Sequence, residues 1–108
     1  MDQISLTEAV YYILLSLNEP LHGYGIMQRT DALSNGRLKL AAGTLYGALN
    51  TLMEKGWIQS LPGESGSRKK EYQITPAGRR VVRGEIARLR ELYENGVALT
   101  EGWNDDDA

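Results

Sequence analysis

Leu6, Ala9, Val10, Ile13, Leu14 and Leu17 recur at spacings of three and four residues, the period of a helix with one apolar face. Ser5-Leu6-Thr7-Glu8 in front of them has the form of a capping box, in which the Ser5 hydroxyl accepts from the Glu8 amide and the Glu8 carboxylate accepts from the Ser5 amide. Asn18-Glu19-Pro20 ends the pattern. A second helix is predicted from about Gly23 to Ser34 on Ile26, Met27, Thr30 and Leu33, with Gly23 and Gly25 weakening its first turn and Asn35-Gly36 stopping it. Arg37-Leu38-Lys39-Leu40 alternates only long enough for a short strand or an extended link.

The third helix has the clearest pattern. Leu45, Ala48, Leu49, Leu52 and Met53 put one buried face on a helix from about Ala42 to Lys55, closed by Gly56, while Thr44, Tyr46, Gly47, Asn50 and Thr51 occupy the other face. Ala41-Ala42 precedes it, and alanine caps poorly, at a cost of about 1 kcal/mol, so that start is weakly defined. Trp57 to Leu61 and Glu71 to Ile74 read as the strands of a β-hairpin whose long tip, Pro62 to Lys70, is flexible and basic. Thr75-Pro76 starts a last helix, Thr as cap and Pro as first helical residue, expected to reach about Asn95-Gly96. On it Val82, Ile86, Leu89, Tyr93 and Val97 form a narrow, coiled-coil-like seam that calls for a partner helix. Arg79, Arg80, Arg83, Arg88 and Arg90 line the other side, with Glu85, Glu91 and Glu94 offering pairs.

Composition narrows the chemistry. With 108 residues, 42% hydrophobic and 24% charged, the chain is one folded domain with a single small core. It has no cysteine and one histidine, which excludes a disulfide scaffold, a thiol nucleophile and any Cys- or His-rich metal site. Ser5, Ser34 and Ser60 lack a His or Lys at motif spacing and there is no GxxxxGKS loop, so neither an enzyme nor a cofactor is expected. Met1-Asp2-Gln3 carries no basic leader, and the uncharged apolar-rich run Ala9 to Asn18 is half the roughly 20 residues that span a bilayer, so no membrane partner and a cytoplasmic location are expected.

The net charge of −2 hides an uneven distribution: residues 1–42 carry −1, residues 43–84 carry +4, and residues 85–108 carry −5, ending in Asp105-Asp106-Asp107. A basic middle suits a polyanion, with a mixed solvated surface as the plain alternative. Three helices and then a β-hairpin is the order of a winged helix-turn-helix, so the fold class is mainly α with a small β-hairpin, extended by a C-terminal helix. In that order the third helix can enter the major groove of double-stranded DNA while the hairpin follows the backbone. Thr44, Tyr46 and Asn50 supply polar groups that can touch base edges or phosphates, with Lys39 just ahead of them.

Three blocks then carry a family resemblance: Leu21-His22-Gly23-Tyr24-Gly25-Ile26; Gly43-Thr44-Leu45-Tyr46-Gly47-Ala48-Leu49 leading to Leu52 and Gly56-Trp57-Ile58; and Arg68-Lys69-Lys70-Glu71-Tyr72-Gln73-Ile74-Thr75-Pro76-Ala77-Gly78. Together, in this order and spacing, they resemble the PadR family of transcriptional regulators, in its short branch with one C-terminal helix. The resemblance implies a homodimeric winged-helix DNA-binding protein, usually a repressor, with Thr44 and Tyr46 facing DNA. Gly43 and Gly47 would leave room for close backbone approach, and Arg68, Lys69 and Lys70 would sit against phosphates. His22 falls in the turn entering the second helix, a structural position. Relatives that stack planar drugs do so on an aromatic of the last helix, where this chain has Leu89.

The expected organisation is therefore a DNA-binding domain over residues 1–75, a dimerisation helix over 76–99 and an acidic, disordered tail over 100–108. The leading reading is a repressor on a palindromic operator, with release by a small-molecule effector left open. A winged helix that binds only protein, and a small-molecule sensor with little direct DNA reading, are the competing readings.

Overall fold

Helices α1 (Glu8–Ser16), α2 (Gly23–Leu33) and α3 (Ala42–Glu54), strands β1 (Ile58–Leu61) and β2 (Glu71–Ile74), and helix α4 (Pro76–Leu99) follow one another in the computed structural model, which describes residues 4–62 and 70–104. This is the mainly helical winged-helix order expected. The predicted hairpin tip with Arg68 and Lys69, and Asp105-Asp106-Asp107, lie outside the described residues.

The start of α1 corrects the sequence reading. Its cap is Thr7, whose hydroxyl accepts from the Val10 amide at 3.1 Å, and not Ser5. The Leu6 amide donates instead to Glu85 Oε2 at 3.2 Å, a bond across 79 residues that holds the segment before α1 off the helical path. Helix α2 is capped by His22, whose Nδ1 accepts from the Gly25 amide at 3.3 Å, which gives the lone histidine its structural role. Asn35 (φ 54°) and Gly36 (φ 85°) stop α2 in the left-handed region. Residues 37–40 are a link without a strand, pinned by the Leu38 amide donating to Ser34 Oγ at 2.9 Å.

Helix α3 turns Leu45, Leu49 and Leu52 inward onto Ile13, Leu14 and Leu17 of the α1 region, Ile26 of α2 and Ile58 and Ile74 of the hairpin. Ala41 caps it without any side-chain bond, as its sequence requires. The strands pair antiparallel with Ile58 opposite Ile74 and Leu61 opposite Glu71. Trp57 precedes the sheet instead of joining it: its carbonyl accepts from the Thr75 amide at 2.9 Å and lies so close to Gly78 that a Cβ there would collide with it. The outer edge of β2 is held by the turn between α1 and α2, where Leu21 and Tyr72 exchange backbone bonds of 3.1 and 2.8 Å and the Ile74 amide donates to the Leu17 carbonyl at 2.9 Å.

Helix α4 starts as predicted, with Thr75 accepting from the Gly78 amide at 3.1 Å, but it does not stop at Asn95-Gly96. A glycine costs about 1 kcal/mol in a helix, too little to end an established one. The helix runs to Leu99, and the left-handed stop is Gly102 (φ 83°). Only its first part packs on the domain, through Gly78, Val82 and Glu85; every residue from Glu91 to Leu99 is exposed. The molecule is correspondingly elongated, 61 × 33 × 20 Å.

Glu85 is the one buried charge among the described residues, 2% exposed. Arg88 Nε and Nη2 donate to its two carboxylate oxygens at 2.6 and 2.8 Å, and Leu6 adds the backbone bond. Hydrogen bonding from Arg88 outweighs burial and holds the Glu85 carboxyl below its ordinary value.

Candidate nucleic-acid interface

Because Leu45 and Leu49 fix the inward side of α3, the residues about 100° per step away must face outward. Gly43, Thr44, Tyr46, Gly47 and Asn50 are all exposed. They form one polar, small-residue face on the helix that leads into the hairpin, and a Cβ at Gly43 or Gly47 would meet nothing within 4 Å. A backbone or base edge could therefore approach closely at both positions.

Tyr46 does more than face out. It is 46% exposed, and its hydroxyl end lies against Gly23, where any Cβ would collide with it. Burial pushes the Tyr72 phenol up, and the neighbouring Tyr46 adds to the shift. Tyr46 thus stands where α2, α3 and β2 meet. Tyr24, beside Gly23 in the first turn of α2, is an exposed aromatic as well, at 60%. Sequence reasoning left it out of the site; its placement between two glycines at the start of a polar helix was the available signal.

The cationic residues are less uniform. Lys39 is exposed but its Nζ lies 3.1 Å from Asp31 Oδ2. Lys70 is exposed at the foot of β2, while Arg68 and Lys69 fall outside the described residues. No group of three or more His, Asp or Glu residues able to hold a metal occurs among the described residues.

The expected α4 seam divides in two. Val82, 7% exposed, belongs to the chain's own core, so it is not on the free seam. Ile86 (47%), Leu89 (39%), Tyr93 (71%) and Val97 (47%) are open, and Leu92 (52%), which strict heptad counting skips, widens the strip. Of the arginines on this helix only Arg88 has an acidic partner; Arg79, Arg80, Arg83 and Arg90 form no ion pair among the described residues. Beside the start of the strip lies a groove of about 520 Å³ between α1, β2 and α4, lined by Leu14, Leu15, Ile74, Val82, Arg79 and Arg83 among others. No helix among the described residues is long and apolar enough to cross a membrane.

This arrangement has counterparts. The family model described as the transcriptional regulator PadR-like family matches residues 12–84. An uncharacterized 37.1 kDa protein in transposon TN4556 of Streptomyces fradiae is 36% identical over 95 residues, which cover 83% of this chain and 26% of that protein; the chain spans about a quarter of this relative's length. A PadR family transcriptional regulator from Eggerthella lenta DSM 2243 superposes with a TM-score of 0.69 at 30% identity, over 86% of this chain and 81% of its own. RosR of H. salinarum gives a TM-score of 0.67 at 26% identity, over 90% and 94% of the two chains.

Proposed function

The chain belongs to the PadR-like family of transcriptional regulators, and on that premise we propose that it represses transcription by binding, as a homodimer, a two-fold symmetric operator in double-stranded DNA. The observation that carries this reading is the exposed Thr44, Tyr46, Gly47 and Asn50 face of α3, free of large apolar groups apart from the Tyr46 ring and set beside the hairpin. Polar groups on such a face can read donor and acceptor patterns in the major groove, and the two glycines admit the backbone closely. Lys70, with Arg68 and Lys69 from the sequence, then serves phosphates, which fix register without reading bases. Lys39 can join them because its surface pair with Asp31 is worth about 0 to 1 kcal/mol and is easily exchanged for a phosphate.

Residues 1–75 act as the reading head in this scheme, and the open strip of α4 from Ile86 to Val97 joins two heads, as two half-sites demand. Selection of bound duplexes from a random-sequence pool, followed by binding titrations, tests it. A palindromic consensus bound at least 1,000-fold above random duplex, roughly the lower bound for specific regulators, is expected. Recovery of no consensus, with affinity for all duplexes alike, would sink the repressor reading and favour the protein-binding winged helix.

A further inference from the structure

A second cavity, of about 330 Å³, lies between the segment before α1, the first turn of α1, the second half of α3 and Trp57. Its size falls within the roughly 300–1,000 Å³ of small-ligand pockets. It shares no residue with the open α4 strip or with the groove beside that strip. Its lining is of two kinds. Ile4, Leu6, Val10 and Leu52 are aliphatic, and Ile4 is 45% exposed. Ser5, Lys55 and Trp57 bring a hydroxyl, an ammonium and an indole N–H, and none of the three has a hydrogen-bond acceptor among the described residues. No Asp or Glu among the described residues lines the cavity. Donors without acceptors, and a cation without a counter-charge, suit an anion.

The remaining lining selects the kind of anion. Lys55 Nζ sits 5.1 Å from the centroid of the Trp57 ring, so the one aromatic of the cavity already carries a cation over its face and offers a planar ligand little to stack on. Aliphatic walls instead suit a flexible hydrocarbon chain, each methylene of which gains by leaving water. One lysine balances one negative charge, that of a carboxylate and not of a phosphate dianion. We propose that this cavity binds a medium-chain aliphatic monocarboxylate, with its charge held by Lys55, Trp57 and Ser5 as further donors, and its chain against Ile4, Leu6, Val10 and Leu52. The site joins the entry segment, whose Leu6 amide is bonded to Glu85 of α4, to a flank of α3. An occupant therefore bears on the helix assigned above to DNA, and its role as an effector rests on that reading. Binding itself does not.

Octanoate is the probe, with octylamine as a cation of the same chain length and benzoate as a planar carboxylate. In a Trp103→Phe chain Trp57 is the sole tryptophan, and its emission reports on the cavity directly. Octanoate should change that emission saturably and raise the melting temperature, because a ligand that binds only the folded state stabilises it. Octylamine should do neither, and benzoate should bind more weakly. Lys55→Gln should weaken octanoate about tenfold, the loss of one charge-assisted hydrogen bond, and Lys55→Glu should turn the preference toward octylamine. Lys55 is exposed, so both variants should keep the circular dichroism of the parent. Arg79→Gln with Arg83→Gln should leave the affinity unchanged. No saturable response from Trp57, or an unchanged affinity in folded Lys55→Gln, overturns the site. Loss of binding in the double arginine variant moves the carboxylate to the α4 groove and overturns it as well, and benzoate binding at least as tightly as octanoate overturns the aliphatic ligand class. A chain that binds octanoate through Lys55 but binds no operator confirms the site and removes only its effector role.

Discussion

Gly23 and Tyr46 form a single contact between two helices, and each explains the other. Glycine is the only residue that lets the tyrosine hydroxyl end lie against the first turn of α2, a contact that ties α3 to α2. Gly23→Ala should therefore push the ring away and weaken operator binding, the cost of that displacement cancelling the roughly 1 kcal/mol that alanine gains over glycine in a helix. In the Tyr46→Ala background that gain should appear in full, because nothing is left to collide. Urea titration of the four proteins checks this, and an equal effect in both backgrounds would show that Gly23 matters only for α2. Glu85 gives a second test at this scale. Its folded pKa lies below the ordinary 4.5, so its stabilisation is fully present above that value and is lost as pH falls through the lower, folded one. Glu85→Gln should cost about 1.5 to 3 kcal/mol near neutrality, and the gap from the parent should close in acid; a gap independent of pH would mean that the carboxylate charge is not what matters.

Elements were legible where local chemistry decided them and not where distant contacts did. The Leu45-Leu49-Leu52 stripe, the left-handed stops at Gly36 and Gly56 and the Thr75-Pro76 start all act within one turn, and each sits in the structure where its residues imply. The capping box at Ser5 failed because Thr7 caps the helix instead and the Glu8 carboxylate that the box needs is held by Arg37, 29 residues along the chain, at 2.8 Å. Val82 belonged to the heptad pattern yet is core, since periodicity cannot say how far along α4 the domain extends before the helix leaves it. The Tyr46 face followed from the spacing of its leucines, but its contact with Gly23 joins two helices and has no local signature. One element carries an avoidable weakness: α3, the proposed reading helix, has Ala41 at its cap with no side-chain bond. Ala41→Ser should stabilise the protein by about 1 kcal/mol in denaturant titration. A null result would show that the α3 amides are already satisfied by other means.

At the scale of the whole molecule, the exposed half of α4 carries the proposed dimer. Leu89 lies in the open strip between Ile86 and Leu92, and at 39% exposure its replacement should not disturb the chain's own core. Leu89→Glu buries a charge only if a partner covers it, which is costly when unpaired. The variant should therefore keep the helical circular dichroism of the parent while light scattering moves from dimer to monomer. Val82→Ala is the opposite control: Val82 lies in the core, so that change should lower unfolding stability by about 1 to 3 kcal/mol with the dimer intact at low denaturant. Binding follows from the same division. A monomer engages one half-site, so the slope of log affinity against log salt, which scales with the number of phosphates neutralised, should fall to about half that of the dimer. Affinity for the full operator should fall toward that for an isolated half-site. If Leu89→Glu stays dimeric with an unchanged slope, the strip is not the interface, and two reading heads must be joined through another surface.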